Sequence, residues 1–96
     1  MYQLEWSDRA IADLDRLEAF LFAKSPQAAD AAVDAILAAA EELRDFPLVG
    51  RALSDDASEY RELPVPFSNS GYVILYRWAD TVVEIQAIKH MREVSY

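Results

Sequence analysis

Cysteine is absent from this 96-residue chain, and histidine occurs only once, at position 90. Without cysteine the chain has no disulfide framework, no thiolate nucleophile and no cysteine-rich zinc site. One histidine also excludes a histidine pair as a catalytic or metal-binding centre within a single chain. We therefore expect no cofactor and no metal ion, so that any catalysis would rest on arginine, His90 and ordinary oxygen acids and bases.

Long apolar runs are also missing. The N-terminus, MYQLEWSDRA, has no basic region followed by an apolar one, so no secretory signal is visible. No stretch approaches the roughly 18 apolar residues that span a membrane, and Asp30 and Asp34 interrupt the longest stretch of low polarity. The length leaves room for one domain, residues 1–96. With neither a visible signal nor a membrane span, the sequence predicts a protein of the cytoplasm.

Basic residues are scarce: 9 lysines and arginines stand against 17 aspartates and glutamates, a net charge of −8. Such an acidic chain is a poor candidate for holding nucleic acid by bulk charge. The imbalance is uneven, because residues 1–49 carry ten acids and four bases, whereas residues 50–96 carry seven acids and five bases. The second half is therefore nearly neutral, and its arginines could pair internally or contact a partner.

Two helices are predicted from apolar spacing and capping residues. Ser7 stands where an N-cap is favoured, and a helix over about residues 8–23 follows it. Its apolar stripe consists of Ile11, Leu14, Leu17 and Leu21. Ser25 and Pro26 mark a second helix start. The stripe of this alanine-rich helix consists of Ala29, Val33, Ile36, Ala40 and Leu43. The short link between the two predicts an antiparallel hairpin.

Strand-forming segments precede and follow the hairpin. Residues 2–6 fit a short opening strand, and residues 60–65, 72–78 and 82–88 fit three more. The 72–78 strand is apolar on both faces and hence central, whereas Pro64 favours an edge or a bulge. Alternation places His90 on the face of Glu84 and Gln86. The order β-α-α-β-β-β predicts an α+β fold, with the helix hairpin packed on a small, mainly antiparallel sheet.

Five short motifs occur in order along nearly the whole chain. They are Trp6-Ser7 with Ala10 and Asp13-Leu14, Pro47-x-x-Gly50-Arg51, Tyr60-Arg61-Glu62-Leu63, Tyr72-Val73-Ile74-Leu75-Tyr76-Arg77, and Ile88-Lys89-His90-Met91-Arg92. Together with the β-α-α-β-β-β order they resemble the RelE/ParE superfamily of bacterial type II toxins. The resemblance implies a toxin that a cognate antitoxin holds inactive in a hetero-oligomer, without a membrane partner.

The resemblance leaves two targets open. ParE-like members inhibit DNA gyrase by binding, and RelE-like members cut messenger RNA in the ribosomal A site. A RelE-like activity would use Arg61 and Arg77 as phosphate clamps, His90 as acid or base, and Tyr96 for stacking or proton donation. The net charge of −8 disfavours direct contact with ribosomal RNA. We therefore favour the ParE branch and a gyrase inhibitor, and leave open whether the protein is an enzyme.

The basic residues of the second half are candidate contacts for the target or the antitoxin. They are Arg51, Arg61, Arg77, Lys89, His90 and Arg92. Four of them also have a purely structural interpretation. Arg51 could bind helix-end carbonyls, and the strand arginines could pair with Glu62, Glu84 or helix acids. His90 could cap the sheet through a backbone carbonyl.

Overall fold

The computed structural model of the chain describes residues 1–56 and 59–93, with the side chain of residue 93 excepted. The two helices are α1 (Asp8–Phe22) and α2 (Pro26–Glu42). The strands are β1 (Gln3–Trp6), β2 (Arg51–Ala52), β3 (Tyr60–Phe67), β4 (Ser70–Ala79) and β5 (Val82–His90). A single 3₁₀ turn, Met91–Glu93, follows β5. Within the described ranges, no helix is long and apolar enough to cross a membrane.

Both helices begin as the sequence predicts. The Ser7 hydroxyl accepts a hydrogen bond from the Ala10 amide at 3.1 Å, and the Ser25 hydroxyl accepts one from Ala28 at 3.2 Å. Pro26 occupies the first turn of α2, where its missing N–H costs nothing. One stripe residue differs from the prediction: Ile11 is 47% exposed, and the neighbouring Ala10 is fully buried in its place. The small Ala10 side chain allows α1 to approach the sheet closely.

The five strands form one mixed sheet in the order β1-β5-β4-β3-β2. β3, β4 and β5 pair antiparallel, and β4 is central as predicted. β1 runs parallel to β5 and forms one edge. β2, which sequence patterning did not reveal, pairs with β3 only at Glu62 and Arg61, so β3 is an edge strand at Pro64. The predicted edge at Pro64 is therefore confirmed.

A register shift in β5 corrects the predicted position of His90. Tyr76 of β4 lies opposite Ile85, but the preceding Leu75 lies opposite Ala87, so Gln86 is an extra residue. Such a bulge reverses the alternation of every residue beyond it. His90 consequently lies opposite Tyr72, on the sheet face that the helices cover, and not on the face of Glu84.

The core lies between the hairpin and this helix-covered face. Its largest fully buried side chains are Tyr76, Ile36, Leu43, Ile74, Ile85, Ile88 and Val83. Ala32 and Ala40 of α2 are also fully buried, and these small side chains let the helix pack close to the strands. Trp6 and Trp78 pack against the core while half-buried, as their predicted packing role requires.

Candidate functional site

The predicted site residues divide between the two faces of the sheet. Arg51 lies opposite Glu62 and Lys89 lies opposite Val73, on the face that the hairpin leaves open. Arg77 lies on the same open face, opposite Tyr60 of β3 and Glu84 of β5. Arg61 and His90 lie on the helix-covered face, opposite Tyr76 and Tyr72 respectively. This list of six basic residues therefore does not define one continuous surface.

Arg61 fixes the backbone between α2 and β2. Its guanidinium donates hydrogen bonds to the Gly50 carbonyl at 2.8 Å and to the Leu48 carbonyl at 3.2 Å. Binding to carbonyls was one interpretation of Arg51, but in the structure it is Arg61 that makes these contacts. Because carbonyls bind a planar guanidinium well, Arg61 is a structural part of this turn.

Arg51 instead forms an ion pair and hydrogen bond with Glu62 across the β2–β3 ladder. The Glu62 side chain is 7% exposed, whereas that of Arg51 is 68% exposed. A buried carboxylate needs a charged partner, so Arg51 compensates Glu62 while keeping much of its own surface in solvent. Arg77, also exposed, lies with its guanidinium carbon 5.7 Å from the centre of the Tyr60 ring.

Two other residues of the predicted set meet at a cleft between α1 and the sheet. We call it the α1 cleft; it has a volume of about 500 Å³. It is lined by Arg16, Leu17, Phe20, Leu21, Tyr72, Ile88, His90 and Arg92. The His90 ring stands at 90° to the Tyr72 ring, with centroids 5.4 Å apart, and its Nδ1 accepts a hydrogen bond from the Arg92 amide at 3.1 Å. The α1 cleft is therefore an apolar surface beside three basic side chains.

The helix that forms one wall of the α1 cleft is bound to the bulge of β5. The Asp13 carboxylate accepts a hydrogen bond from the Ile88 amide at 3.0 Å, and it also pairs with Arg16 at 3.3 Å. The Ser7 hydroxyl donates to the Gln86 carbonyl at 3.0 Å. The N-cap residue Ser7 and Asp13 of α1 thus bind backbone groups of β5 at the bulge and two residues beyond it.

A second cleft, of about 480 Å³, lies at the opposite end of the sheet. It is lined by Tyr2, Asp45, Phe46, Pro47, Leu48, Val49 and Trp78. The loop between α2 and β2, which forms most of this cleft, is anchored by the buried Tyr76 hydroxyl. This hydroxyl donates to the Pro47 carbonyl at 2.8 Å and accepts from the Gly50 amide at 2.9 Å. Gly50 has no room for a side chain, because an added Cβ would lie 2.5 Å from the Tyr76 oxygen.

The two tyrosines of the helix-covered face both have perturbed acidities. Burial alone raises the pKa of Tyr72 above its ordinary value. Burial also raises the pKa of Tyr76, although the Gly50 amide and the nearby Arg61 cation oppose that rise. Neither phenol is therefore prepared to donate a proton at neutral pH.

The four residues of the nuclease hypothesis are not assembled in the part of the chain that is described. Arg61 lies opposite Tyr76, and His90 lies opposite Tyr72, four residues away along β4. Four residues at about 3.3 Å each and two strand spacings of about 4.8 Å put their Cα atoms roughly 16 Å apart. Arg77 projects from the other face, and Tyr96 lies outside the described residues.

Sequence reasoning did not identify Arg16 and Phe20 as lining the α1 cleft, or Tyr76 as the anchor of the loop beside the second cleft. Phe20 follows Arg16 by four residues and Leu17 by three, a spacing that puts all three on neighbouring parts of one helix surface. That spacing could have revealed the α1 cleft wall. Nothing local to Tyr76 announces its loop contacts, because Pro47 and Gly50 precede it by 29 and 26 residues.

Comparisons with known proteins agree with this architecture. Residues 4–95 match the family model described as the ParE toxin of the type II toxin–antitoxin system parDE. Toxin RelE3 of Caulobacter vibrioides is 40% identical over 93 residues, covering 97% of this chain and 98% of the relative. Toxin RelE1 of the same organism is 34% identical over 84 residues, covering 88% and 87%.

A solved structure shares the fold. A chain of the chromosomal ParDE toxin–antitoxin system from P. aeruginosa superposes with a TM-score of 0.74 at 22% identity, covering 94% of this chain and 96% of that one. The predicted α+β fold, with a helix hairpin on a small and mainly antiparallel sheet, is thus confirmed. Because the family model and a 40% identical toxin each span nearly the entire length, the chain belongs to the ParE toxin family of type II toxin–antitoxin systems, within the RelE/ParE superfamily.

Proposed function

We propose that this toxin inhibits DNA gyrase by binding it, without catalysing a reaction of its own, and that a cognate antitoxin neutralises it. The observation that carries the proposal is the separation of Arg61, Arg77 and His90 described above. Cleavage of RNA through its 2′-hydroxyl needs an acid, a base and cationic groups within hydrogen-bond reach of one phosphate. Arg61 and His90, whose Cα atoms lie roughly 16 Å apart, and Arg77, which lies on the other sheet face, do not meet that requirement.

The engagement of these cations also favours binding over catalysis. The Arg61 guanidinium is committed to the Gly50 and Leu48 carbonyls, so it is not available as a phosphate clamp without disrupting the loop. The net charge of −8 opposes the approach of ribosomal RNA. Both points support a protein target, and a gyrase target places the action of the toxin in the cytoplasm.

We place the neutralising segment of the antitoxin in the α1 cleft. Its apolar lining favours large apolar side chains, and its basic rim of Arg16, His90 and Arg92 favours carboxylates beside them. The acidic remainder of the toxin favours basic residues elsewhere in the antitoxin. The reading frame adjacent to the toxin gene is the one to test for this partner.

A second candidate function is ribosome-dependent cleavage of messenger RNA. The names of the Caulobacter vibrioides relatives, Toxin RelE3 and Toxin RelE1, favour it. Under this alternative His90 would act as acid or base, together with Tyr96, Arg61 and Arg77. The two functions make opposite predictions for the substitution His90→Gln, which keeps a polar side chain but removes the titratable ring.

The deciding experiment measures both activities with the same purified protein. We expect the wild type to inhibit gyrase supercoiling, and His90→Gln to change the inhibitory concentration by less than about tenfold. We expect no codon-phased ends in primer extension on messages from induced cells. Phased cuts that His90→Gln lowers by about 10²-fold or more, as loss of a general acid or base requires, would instead assign the RelE-like activity. A wild type that leaves supercoiling unchanged would refute the gyrase proposal.

A further inference from the structure

The loop between α2 and β2 presents three apolar side chains to solvent. Phe46, Leu48 and Val49 are 63%, 55% and 58% exposed, and all three line the 480 Å³ cleft beside Trp78. We call these three residues the loop patch. Adjacent exposed apolar side chains of this kind commonly mark an interaction surface.

The backbone beneath the loop patch is held by the buried Tyr76 and the half-buried Arg61. The Tyr76 hydroxyl binds the Pro47 carbonyl and the Gly50 amide, and the Arg61 guanidinium binds the Leu48 and Gly50 carbonyls. The fold therefore fixes the conformation of a loop whose side chains it leaves unburied. A fixed loop loses little conformational entropy when it binds, which is the property that a binding surface gains from preorganisation.

Apart from Arg61, which is bound to the Leu48 and Gly50 carbonyls, and Arg44, the charged side chains near the loop patch are acidic. Asp45 lines the cleft, Glu42 lies one turn before it, and Asp80 lies two residues beyond Trp78. All three are exposed, and in residues 1–56 and 59–93 none of them forms an ion pair. The nearby Arg44 pairs with Glu41 at 2.6 Å. The patch therefore fits an apolar pocket whose rim carries lysine or arginine.

A second copy of this chain does not fit that description. Two copies that met through the loop patch would bring two acidic rims together, at a net charge of −8 each. The patch also consists of only three side chains, whereas a stable dimer buries about 800 Å² per partner. The α1 cleft at the other end has a basic rim and takes the opposite class of segment. The two ends are therefore suited to two different partners.

We propose that the loop patch is the surface through which the toxin holds its protein target, and that the target presents an apolar pocket with a basic rim. This inference rests on the proposed function, in which the target is DNA gyrase. The loop patch supplies the apolar centre of the contact, and Asp45 and Asp80 supply the complementary charge.

The test uses a double variant, Leu48→Ser with Val49→Ser, in the full chain. Its matched control is Ile11→Ser with Leu37→Ser, since these side chains are 47% and 42% exposed and line neither cleft. We expect the double variant to raise the concentration for half-inhibition of gyrase supercoiling at least 20-fold, and the control to change it less than threefold. Both should bind the product of the adjacent reading frame as the wild type does, within threefold.

A charge variant gives a second test that depends less on folding. Asp45→Lys should raise the half-inhibitory concentration about threefold to tenfold at 50 mM salt and should weaken its dependence on salt up to 200 mM. A circular dichroism melt confirms that each variant is folded. An effect of the same size in the control pair would show that any loss of exposed apolar surface suffices, and would overturn the proposal.

Other outcomes are equally decisive. Unchanged inhibition by both the serine double variant and Asp45→Lys overturns the inference while the proposed function stands. Equal loss of antitoxin binding assigns the loop patch to the antitoxin, and a change from dimer to monomer in light scattering assigns it to a second copy. Failure of the wild type to inhibit gyrase is a different result, because it refutes the proposed function before any variant is compared.

Discussion

The two ends of the sheet differ in the charges around their clefts and in the contacts of their central tyrosine. At the α1 cleft the apolar side chains meet basic ones, and the central tyrosine, Tyr72, contacts the His90 ring. At the loop end the central tyrosine, Tyr76, is committed to two backbone hydrogen bonds, and the charges around the cleft are acidic. One strand, β4, thus supplies a ring contact at one end and a rigid anchor at the other.

This difference shows that the net charge alone does not describe the charge that a partner meets at each cleft. Although the chain has a net charge of −8, its α1 cleft lies beside the basic side chains Arg16, His90 and Arg92. The distant acidic residues affect a partner at this cleft only weakly, because exposed charges act over about a Debye length of 8–10 Å. The clefts at opposite ends of the molecule are therefore electrostatically independent. Each of the following predictions changes one end and compares it with the other.

Gly50→Ala should give the largest loss of stability. The added Cβ would lie 2.5 Å from the Tyr76 oxygen and 2.7 Å from the Glu62 carbonyl oxygen. Neither neighbour can move freely, since the Tyr76 side chain is buried and the Glu62 carbonyl belongs to strand backbone. We therefore expect the free energy of urea-induced unfolding to fall by about 3 kcal/mol. The adjacent Val49→Ala, at an exposed position, should change it by no more than about 0.5 kcal/mol. Equal losses in Gly50→Ala and Val49→Ala would mean that the loop between α2 and β2 is not held in one conformation.

Tyr76→Phe should come next, and Tyr72→Phe is its matched control at the other end. Removing the Tyr76 hydroxyl leaves the Pro47 carbonyl and the Gly50 amide without their partner, which costs about 2 kcal/mol. In the described residues the Tyr72 hydroxyl has no hydrogen-bond partner, so its removal should cost less than about 0.5 kcal/mol. Chemical unfolding of both variants measures the contrast, and a Tyr72 effect as large as that of Tyr76 would contradict it.

Asp13→Ala tests the attachment of α1 at the cleft end. The substitution removes the acceptor for the Ile88 amide at the bulge, and we expect a loss of about 1.5 kcal/mol. Asp15→Ala is the control, because Asp15 is exposed on the same helix and should have an effect near zero. Hydrogen exchange gives an independent measurement, since the Ile88 amide should lose protection in Asp13→Ala and keep it in the control.

The parts of the fold that the sequence predicts are those fixed by local chemistry. Ser7 and the Ser25-Pro26 pair mark helix starts because their side chains satisfy or remove backbone donors within three residues. The central position of β4 follows from its apolar residues on both faces. These signals need no knowledge of distant contacts, and the structure confirms each of them.

The parts that sequence reasoning missed depend on distant contacts. The bulge at Gln86 is bound by the N-cap Ser7 and by Asp13 of α1, and no glycine or turn residue in β5 marks it. The predicted face of His90 is wrong for this reason. The roles of Arg51 and Arg61 were likewise indistinguishable, because the two-residue β2 that positions Arg51 beside Glu62 is too short to leave a pattern. The side-chain partners at these positions are determined by contacts between segments that are distant in the sequence.

The smallest predicted effect is a loss of stability at alkaline pH, which both tyrosines cause. Burial raises the pKa of Tyr72 and of Tyr76 in the folded state above the value of about 10 for an unfolded tyrosine. The folded protein therefore holds the two protons more tightly than the unfolded chain does. Their contribution is complete below pH 10 and declines as the pH rises through the folded-state values.

The two ends should contribute to this decline in different ways. Tyr72→Phe should flatten the dependence of the unfolding midpoint on pH between 9 and 11.5 with little change at pH 7, because it removes a titrating group but no hydrogen bond. Tyr76→Phe should flatten it too, but from a midpoint already lowered at pH 7, since the loop has lost its anchor. The double variant should be the flattest of all. If Tyr72→Phe steepened the decline, the Tyr72 phenol would be more acidic in the folded state than in the unfolded chain, and the description of its burial would be wrong.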